Sequence, residues 1–414
     1  MDSTKFGPNS PGKLVKIPDG NFAFVPDPLP PKLQLTSETI RLLSLADQKL
    51  GELAGVGRML PNPHMLIGPF LRHEAVLSSR IEGTLATEEE LLLFEVNPAV
   101  EARTPDVREV ANYVKALEHG LGRLKELPVC LRLIRELHER LLRGVRGADR
   151  RPGEFRTIQN YIGKSGEPLQ NARFVPAPAS ELGLALEKFE KFLNAPSRLP
   201  VLIELALTHY QFETIHPFVD GNGRIGRLLL SLLLCERGPL PKPLLYLSAY
   251  FERHRDQYVD LLLEVSKSGA WEEWIQFFLN GVAVQSEDAI SRSQDLLALW
   301  QKYRSRMQTA RASALGLDLI DRLFSKPVVT IPMAAKRLQV TYASAKLNVE
   351  KLVANGMLKE VTGNQRNRIY IAPEIVDIIS SRKESNRSDA KKNADTRVQK
   401  HATENDKAAV SSSS

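Results

Sequence analysis

The sequence predicts a mainly α-helical protein with a small β-hairpin and a C-terminal winged-helix domain. Between residues 38 and 320, apolar residues recur at intervals of three and four over long stretches, which is the period of an amphipathic helix. A stretch rich in Gly, Pro and polar residues at 151–175 interrupts that period and favours a hairpin. Two short helical patterns and two short strands at 330–371 are typical of a winged helix.

Length and composition narrow the class of protein. A chain of 414 residues has room for two or more domains, and 43% hydrophobic with 25% charged residues is ordinary for a globular protein. No run of about 18 apolar residues occurs, and no basic segment followed by an apolar one opens the chain. Cys130 and Cys235 lie in apolar surroundings without metal-ligand spacing, which is typical of buried thiols. We therefore expect a soluble, unsecreted, cytoplasmic protein with no membrane contact.

The first hundred residues should form an extended arm followed by a helical region. Pro, Gly and Asp are frequent in residues 1–36, which favours extended backbone over helix. The helical region, 37–100, should begin near Thr36 or Ser37, both of which are N-cap residue types. Thr87, followed by three glutamates, is a second N-cap. Helical periodicity covers 38–54, 63–81 and 86–95.

The central region, 101–285, combines further helices with the hairpin. Phe155–Tyr161 and Asn171–Val175 flank the turn-rich residues 163–168, which predicts two strands joined by a long tip. A surface hairpin without a particular role gives the same pattern. Helical periodicity covers 105–124, 128–144, 180–194 and 199–214, and an apolar run at 228–235 indicates a buried helix.

The C-terminal part should contain a helical linker at 286–320, a winged helix at 321–379 and a disordered polar tail at 380–414. Between Arg322 and Ala372 there are nine Lys and Arg against two Asp and Glu, so this segment alone matches the +7 charge of the whole chain. Concentrated basic charge on a helix-turn-helix favours DNA contact through residues 321–372. Winged helices also serve as protein docking or dimerisation modules, and that alternative stays open.

The most informative stretch is 216–227, which reads His-Pro-Phe-Val-Asp-Gly-Asn-Gly-Arg-Ile-Gly-Arg. The imidazole of His216 suits general-base chemistry, and the carboxylate of Asp220 suits a magnesium ion. The Gly-Asn-Gly turn lets backbone N–H groups close around an anion, and it leads into the N-terminus of the buried helix, where phosphate is favoured. Arg224 and Arg227 share one face of the first helical turn. The combination predicts a phosphoryl- or nucleotidyl-transfer site.

A purely structural explanation competes with this one. Asp-Gly-Asn-Gly is a strong turn signal, and a lone histidine is more often structural than catalytic. Two arginines at a helix N-terminus, however, oppose the helix dipole unless an anion is present. Because nearly every position of the stretch fits one site, the functional explanation is favoured.

Residues 216–227 resemble the signature of the Fic family, His-Pro-Phe-x-Asp/Glu-Gly-Asn-Gly-Arg-x-x-Arg, with no departure at any signature position. The resemblance implies a Fic-type helical core in which the hairpin is a flap that pairs with the main chain of a target protein. It implies that His216 deprotonates a target hydroxyl. Relatives that phosphorylate replace the second glycine of the turn with lysine, whereas this chain has Gly223, which favours transfer of AMP.

The same resemblance assigns the remaining signature residues to ATP and Mg²⁺. Asp220 would hold the metal between the α- and β-phosphates, Asn222 with the amides of Gly221 and Gly223 would cradle phosphate, and Arg224 would grip the distal phosphates. The target hydroxyl, on Tyr, Thr or Ser, would attack the α-phosphate, and pyrophosphate would leave. The implied ATP-binding residues are Asp220, Gly221, Asn222, Gly223, Arg224, Ile225, Gly226 and Arg227.

A second spot, residues 78–83, reads Ser-Ser-Arg-Ile-Glu-Gly. Taken alone it is a helix end, with Gly83 at the position after the C-cap. Beside the signature it resembles the inhibitory motif of the Fic family, with Ser78, Glu82 and Gly83 in its fixed positions. Glu82 would then pair with Arg227 through a bidentate carboxylate–guanidinium contact and occupy the room that the γ-phosphate needs. The implied default state is off.

Three hypotheses for function follow. The first is an autoinhibited, Mg²⁺-dependent protein adenylyltransferase acting on a target protein or on itself. The second is an enzyme that removes AMP, with Glu82 positioning a water molecule. The third is a DNA-binding regulator that uses the helical core as an ATP sensor. A homodimer is left open, and Tyr250 or Trp274 is expected on the adenine side of the cleft.

Overall fold

A computed structural model describes residues 1–59, 64–98, 105–163, 168–240, 242–309 and 314–380 of the chain. The expected disordered tail therefore falls outside the described residues, apart from residue 380. The helices are α1 (Ser37–Met59), α2 (His64–Ile81), α3 (Glu88–Val96), α4 (Pro105–Arg123), α5 (Leu131–Leu141), α6 (Ala179–Asn194), α7 (Val201–Ile215), α8 (Asn222–Glu236), α9 (Ser248–Arg253), α10 (Arg255–Ser268), α11 (Trp271–Thr309), α12 (Ala314–Ser325), α13 (Ile331–Leu338), α14 (Tyr342–Ala354) and α15 (Pro373–Ser380). The strands are β1 (Gly12–Lys16), β2 (Phe22–Pro26), β3 (Val328–Thr330), β4 (Lys359–Glu360) and β5 (Ile369–Ile371). The predicted mainly α fold class is confirmed.

Helices α7 and α8 form the centre of the core. Both are apolar on nearly every face, and almost all of their side chains are buried. A helix that is hydrophobic all round must be covered on all sides, which explains why α2, α4, α5, α6 and α11 surround this pair. The polar loop between α7 and α8 is therefore held at both ends by rigid, buried elements.

The N-terminal arm is a β-hairpin. Strands β1 and β2 pair antiparallel, in register from Gly12 with Pro26 to Lys16 with Phe22. The predicted extended backbone is correct, but the pairing was missed. The Phe24 side chain is fully buried, and its backbone N–H donates to the Val175 carbonyl at 2.9 Å. The hairpin thus packs beside the segment that leads into α6.

The flap region does not form the two predicted strands. Within the described residues, Ile162 and Phe174 make an isolated antiparallel bridge, and 164–167 in the expected tip lie outside the description. Apart from this bridge, several polar groups of the region bond to the signature loop. The Arg156 N–H donates to the Pro217 carbonyl at 2.9 Å, and the Asn160 amide donates to the Phe218 carbonyl at 2.9 Å.

The predicted linker at 286–320 is not a separate element. Helix α11 begins at Trp271, passes through residue 286 without a break and packs along α1. Buried side chains continue beyond the expected boundary, among them Ala289, Leu296 and Tyr303, so the helix keeps an apolar face to cover. Residues 310–313, within the predicted linker, lie outside the described part.

The predicted winged helix is confirmed. Strand β3 precedes helices α13 and α14, strands β4 and β5 follow them, and the three strands form an antiparallel sheet in the order β3-β5-β4. Val328, Ile369 and Ile371 of this sheet pack against Leu92 of α3. Across the same junction, Glu95 accepts two hydrogen bonds from Arg72 of α2, at 2.9 and 3.0 Å, and Lys326 pairs with Glu95 at 2.7 Å. The winged helix therefore rests directly on α2 and α3.

No helix among the described residues combines the length and the apolar composition needed to cross a membrane.

Candidate active site

The loop between α7 and α8 is fixed by its own backbone and by one amide side chain. His216 ends α7 with φ 49°, a left-handed conformation that is uncommon for a residue other than glycine. Gly221 also has a positive φ, 79°, directly before α8. The Asn222 side chain accepts from the Phe218 N–H at 2.8 Å and donates to the Phe218 carbonyl at 2.9 Å. Asn222 therefore pins the loop, and its side chain is not directed at a phosphate as predicted.

His216 is set up as a neutral base. Its Nδ1 lies 3.2 Å from the Glu213 carbonyl, and since a carbonyl only accepts, Nδ1 carries the proton. The lone pair is then on Nε2. Burial lowers the pKa of the imidazole to about 4, so the ring is neutral at pH 7. The predicted base has the tautomer and charge state that proton abstraction requires.

The first turn of α8 has backbone groups that could hold an anion. The backbone N–H groups at residues 222–224 begin the helix, where they lack carbonyl partners within it and the helix dipole favours negative charge. The Glu82 carboxylate lies close to Gly223, since a Cβ at this position would be 2.2 Å from Glu82 Oε1. The Glu82 carboxylate thus sits directly over the turn that is suited to phosphate.

Arg227 is buried and holds the end of α2. Its Nε donates to Ser78 Oγ at 2.9 Å, and its Nη2 donates to the Ser78 carbonyl at 2.9 Å and to Glu82 Oε1 at 2.7 Å. The expected Glu82–Arg227 pair is present, but it uses one carboxylate oxygen and is not bidentate. Gly83 has φ 95°, which lets the chain turn away immediately after Glu82. Ser78 and Glu82 therefore both contact Arg227, and the inhibitory role of these residues stays a prediction.

Glu82 is charged in this arrangement. Burial is the largest single influence and acts to raise the pKa of its carboxyl, but the charge and the hydrogen bond of Arg227, together with smaller contributions, outweigh it, and the net pKa is lowered. The pair is a charge-assisted hydrogen bond in which the buried guanidinium has its counter-ion.

Arg224 does not face the cleft. Its Nη1 donates to Glu109 Oε2 of α4 at 2.8 Å, and both side chains are buried. Its Nη2 also lies 3.7 Å from Asp220 Oδ1. In this conformation the guanidinium is thus paired with two carboxylates, and its contact with the distal phosphates stays a prediction. A buried guanidinium requires a counter-ion, and α4 supplies one 115 residues away in the sequence.

Asp220 lies at the rim of the cleft. Its Oδ1 accepts from the Gly221 N–H at 2.6 Å, and its Oδ2 faces Gly147, where a Cβ would lie only 2.8 Å away. The side chain is 41% exposed, so a hydrated ion can reach it. A single carboxylate suits Mg²⁺, which usually keeps several waters and binds through one or two carboxylates together with phosphate oxygens. The residues present fit a magnesium ion that arrives with a nucleotide.

The remaining predicted ATP-binding residues are not part of the cleft surface. Ile225 is fully buried in the core. Gly226 lies beneath the Glu213 carboxyl, because a Cβ at 226 would be 2.3 Å from Glu213 Oε1. The residues of the signature that do line the cleft are His216, Val219, Asp220, Gly221, Asn222, Gly223 and Arg227.

The predicted adenine-side aromatics are elsewhere. Trp274 is fully buried and donates through Nε1 to the Ala206 carbonyl at 2.9 Å, and the Tyr250 hydroxyl accepts from Asn280 at 2.9 Å. Neither lines the cleft. Tyr258 of α10 does, and its hydroxyl bonds His209 Nε2 at 2.7 Å. The sequence analysis did not single out Tyr258. It lies one turn into α10, at helical spacing from other aromatic residues, so spacing alone could not show which aromatic side chain faces the cleft.

The cleft as a whole encloses about 730 Å³, within the range of small-molecule sites. The flap contributes Ile162 and Phe174, the end of α2 contributes Glu82, and α10 contributes Tyr258. One wall is thus apolar, while the floor carries the base, the anion site and the guanidinium. This arrangement can bind a nucleotide by its phosphates and place a nucleophile beside His216.

Comparison with known proteins matches three segments of the chain to family models. Residues 40–122 match the family model described as Fic/DOC family N-terminal, 128–234 match Fic/DOC family, and 317–370 match HTH DNA binding domain. The chain therefore contains a Fic N-terminal region, a Fic domain and a C-terminal helix-turn-helix domain.

Named relatives are similar over part of their length. The protein adenylyltransferase Fic of Drosophila virilis is 34% identical and that of Drosophila sechellia 32% identical, each over 166 residues that make up 39% of this chain and 32% of the relative. The chain thus spans about a third of the length of these curated relatives. The crystal structure of a Fic family protein from Desulfovibrio desulfuricans is 18% identical, with a TM-score of 0.51 over 83% of this chain and 98% of that chain. That likeness supports the fold.

Proposed function

We propose that this protein is a Mg²⁺-dependent protein adenylyltransferase that is held off by the Glu82–Arg227 pair. It transfers AMP from ATP to a hydroxyl group of a target protein, or of itself. The observation that carries the proposal is the neutral His216, with its lone pair on Nε2, in the same cleft as the anion site at the start of α8. A base and a phosphate cradle in one cleft are what nucleotidyl transfer to a hydroxyl requires.

The reaction begins when the target hydroxyl, on Ser, Thr or Tyr, meets Nε2 of His216. The base takes the hydroxyl proton as the oxygen attacks the α-phosphorus of ATP. The bond from that phosphorus to the bridging oxygen breaks, and pyrophosphate leaves. The N–H groups at the start of α8 stabilise the charge that develops on the phosphates. Asp220 would hold Mg²⁺, which when bound neutralises phosphate and leaving-group charge.

The inhibited state follows from the position of Glu82. Its carboxylate occupies the space over Gly223 and satisfies Arg227, so a terminal phosphate cannot approach the guanidinium without displacing it. The Glu82 carboxylate and the terminal phosphate are both negative, so they would also repel each other at this short distance. We infer that ATP reaches its productive position only when Glu82 moves away.

Labelled ATP tests this proposal. The wild type, Glu82→Gly and Glu82→Gly/His216→Ala are incubated with Mg²⁺ and with ATP labelled on either the α- or the γ-phosphate, and label on the protein itself is counted. We expect α-label, without γ-label, on Glu82→Gly. His216→Ala should reduce that label by about 10²–10⁴-fold, the usual contribution of a general base. Transfer of γ-label would replace adenylylation by phosphorylation, and no transfer by any variant would refute both.

Removal of AMP is the alternative in which Glu82 positions water. The two directions are separated by the Glu82→Gly variant: it should gain activity if the glutamate only inhibits, and it should lose activity on a pre-adenylylated protein if the glutamate orients the water.

DNA contact is a second candidate function, and it rests on the winged helix. The HTH DNA binding domain match coincides with the segment of charge +7, and the exposed face of α14 and the wing carry Lys346, Lys351, Arg366 and Arg368. We propose that α14 contacts duplex DNA. Binding should weaken steeply as salt rises from 50 to 200 mM, because contacts between basic side chains and phosphates release counter-ions. Gel-shift titrations at both salt concentrations measure this, and a salt-independent result would contradict it.

A further inference from the structure

A second acid lies beside Arg227, and the reaction above does not use it. Glu213 is in the last turn of α7, on a helix whose other side chains are nearly all buried. Its Oε1 is shielded from solvent and has no hydrogen-bond partner among the described residues. An unpartnered carboxyl oxygen is costly in a protein interior, so a second arrangement in which it gains a partner is favoured.

The surroundings of Glu213 limit what that partner is. Gly226 lies against Oε1 on one side, where a side chain would not fit. On the other side Glu213 shares the cleft with Glu82, Arg227 and Tyr258. Among these groups the guanidinium is the cation, and it now bonds Glu82. Two acids therefore approach one buried arginine, and one of them is bonded to it.

The charges around Glu213 show how the two acids are coupled. Burial raises the pKa of its carboxyl to about 7, while Arg227 acts to lower it and Glu82 acts to raise it. His216 is neutral, and the Tyr258 hydroxyl stays protonated because burial raises its pKa. When Glu82 leaves, the repulsion disappears, and the Glu213 carboxyl ionises more readily beside a guanidinium that has lost its counter-ion.

We propose that Glu213 is the reserve partner of Arg227: when Glu82 moves away, the Glu213 carboxylate pairs with the guanidinium and competes with the terminal phosphate of ATP. Arg227 is buried, and removing the partner of a buried charge is strongly unfavourable, so an acid in reach should replace Glu82. The γ-phosphate must then displace Glu213. Glu213 thereby sets the preference of the unlocked cleft between a nucleoside triphosphate and a diphosphate. This inference rests on the proposed function, in which Arg227 receives the γ-phosphate.

Equilibrium binding of nucleotides tests the inference without requiring transfer. The affinities of Mg²⁺-ATP and Mg²⁺-ADP are measured by calorimetry for Glu82→Gly and for Glu82→Gly/Glu213→Gln, at pH 5.5 and pH 8.5. At pH 8.5, Glu213→Gln should tighten ATP by about tenfold, in line with the loss of one charged competitor, and leave ADP unchanged. At pH 5.5 a larger fraction of the Glu213 carboxyl is protonated than at pH 8.5, so the difference in ATP affinity between the two variants should narrow. Titration of the nucleotide itself affects both variants alike and cancels in the comparison.

Asp256→Asn, in the Glu82→Gly background, is the matched control. Asp256 is an exposed acid at the rim of the same cleft, so this variant removes one negative charge without touching Arg227. It should leave the ratio of ATP to ADP affinity unchanged. Equal tightening of both nucleotides by Glu213→Gln, or no change in ATP affinity at pH 8.5, would overturn the inference. Failure of Glu82→Gly to transfer AMP would refute the proposed function and still leave these affinities readable.

Discussion

At the scale of single residues, each buried arginine of the site is paired with a glutamate. Arg227 faces Glu82, and Arg224 faces Glu109, so each guanidinium beside the phosphate turn has a carboxylate from another helix. These partners decide which charge a nucleotide can use. Arg227 is released by moving one partly exposed glutamate, whereas Arg224 is fixed by a carboxylate that is itself buried. Under the proposed function, Arg227 is therefore the cation whose availability to a nucleotide changes.

The dependence of the AMP-transfer rate on pH should show whether the pKa of His216 is lowered. Because burial lowers the pKa of the imidazole to about 4, the base is already unprotonated at pH 5.5. In Glu82→Gly at saturating ATP, we expect the same kcat at pH 5.5 and pH 7.5. A histidine with the ordinary pKa of about 6.5 would lose about nine-tenths of the rate at pH 5.5. A loss of that size in steady-state kinetics would contradict the buried, neutral base.

The predicted site residues that the structure brings together in the cleft share a property: their spacing along the chain is short. His216, Asp220 and Gly221 lie in one loop, and Ser78 and Glu82 lie one helical turn apart, so local pattern was sufficient. The side-chain directions of Asn222 and Arg224 were not predictable from that pattern. Arg224 turns towards Glu109 because of packing between distant helices, and that information is absent from the spacing within the loop.

At the scale of elements, the segment after α5 supports the site with one buried arginine. Arg156 donates through Nε to the His216 carbonyl at 2.9 Å and through its Nη atoms to the carbonyls of Ile158, Ala177 and Ile215. Burial lowers the pKa of the guanidinium to about 10, which still leaves it charged at neutral pH. This contact replaces the hairpin that the sequence predicted, because the backbone carbonyls bond to a side chain and not to a partner strand. The sequence showed only one more arginine in a turn-rich region.

Arg156→Lys should loosen the signature loop. Lysine keeps the charge but loses the planar fork that reaches several carbonyls at once. We expect a loss of about 2 kcal/mol in the free energy of unfolding, since hydrogen bonds to charged groups contribute about 1.5–3 kcal/mol, and roughly a tenfold lower rate in the Glu82→Gly background. Urea denaturation and the labelling assay measure the two effects. Arg132→Lys, at an exposed position, is the control, and equal behaviour of the two variants would contradict this role.

Helix periodicity predicted the existence of the helices well but not their ends. Thr87 caps α3 as expected, with a capping box to Glu90, since that signal is local. Helix α11 continues past residue 286, because its apolar positions continue and the sequence contains no Gly or Pro to stop it there. The pairing of β1 with β2 likewise depends on burial of Phe24 against a segment about 150 residues away, which periodicity does not reveal.

At the scale of the whole molecule, helix α2, which leads directly into Glu82, is also the helix on which the winged helix rests. Arg72 and Lys326 meet at Glu95, and all three side chains are largely shielded from solvent. The junction joins α2, α3 and the start of β3. The two domains are therefore expected to unfold together, because the same helix belongs to both interfaces.

Glu95→Gln should destabilise the entire protein. The change leaves two cations without their common acid in a poorly solvated position, and breaking a buried pair in this way costs about 3–5 kcal/mol. Glu374→Gln is the control. Glu374 of α15 pairs with Lys302 of α11, but both side chains are about half exposed. An exposed pair of this kind contributes about 0–1 kcal/mol. Urea denaturation followed by circular dichroism measures both. Equal midpoints for the two variants would contradict the structural importance of the junction.

The most direct test of autoinhibited AMP transfer is the amount of AMP gained by the protein with and without Glu82. Wild type, Glu82→Gly and Leu85→Ala are incubated with Mg²⁺-ATP, and their intact masses are followed over time. Leu85 lies in the same loop and is 84% exposed, so its replacement disturbs the loop but not the pair with Arg227. We predict that Glu82→Gly gains the mass of AMP at least about tenfold faster than the wild type, since a charged hydrogen bond of about 1.5–3 kcal/mol is removed, and that Leu85→Ala stays as slow as the wild type. Equal rates for wild type and Glu82→Gly, or a gain in mass that corresponds to phosphate, would contradict the account.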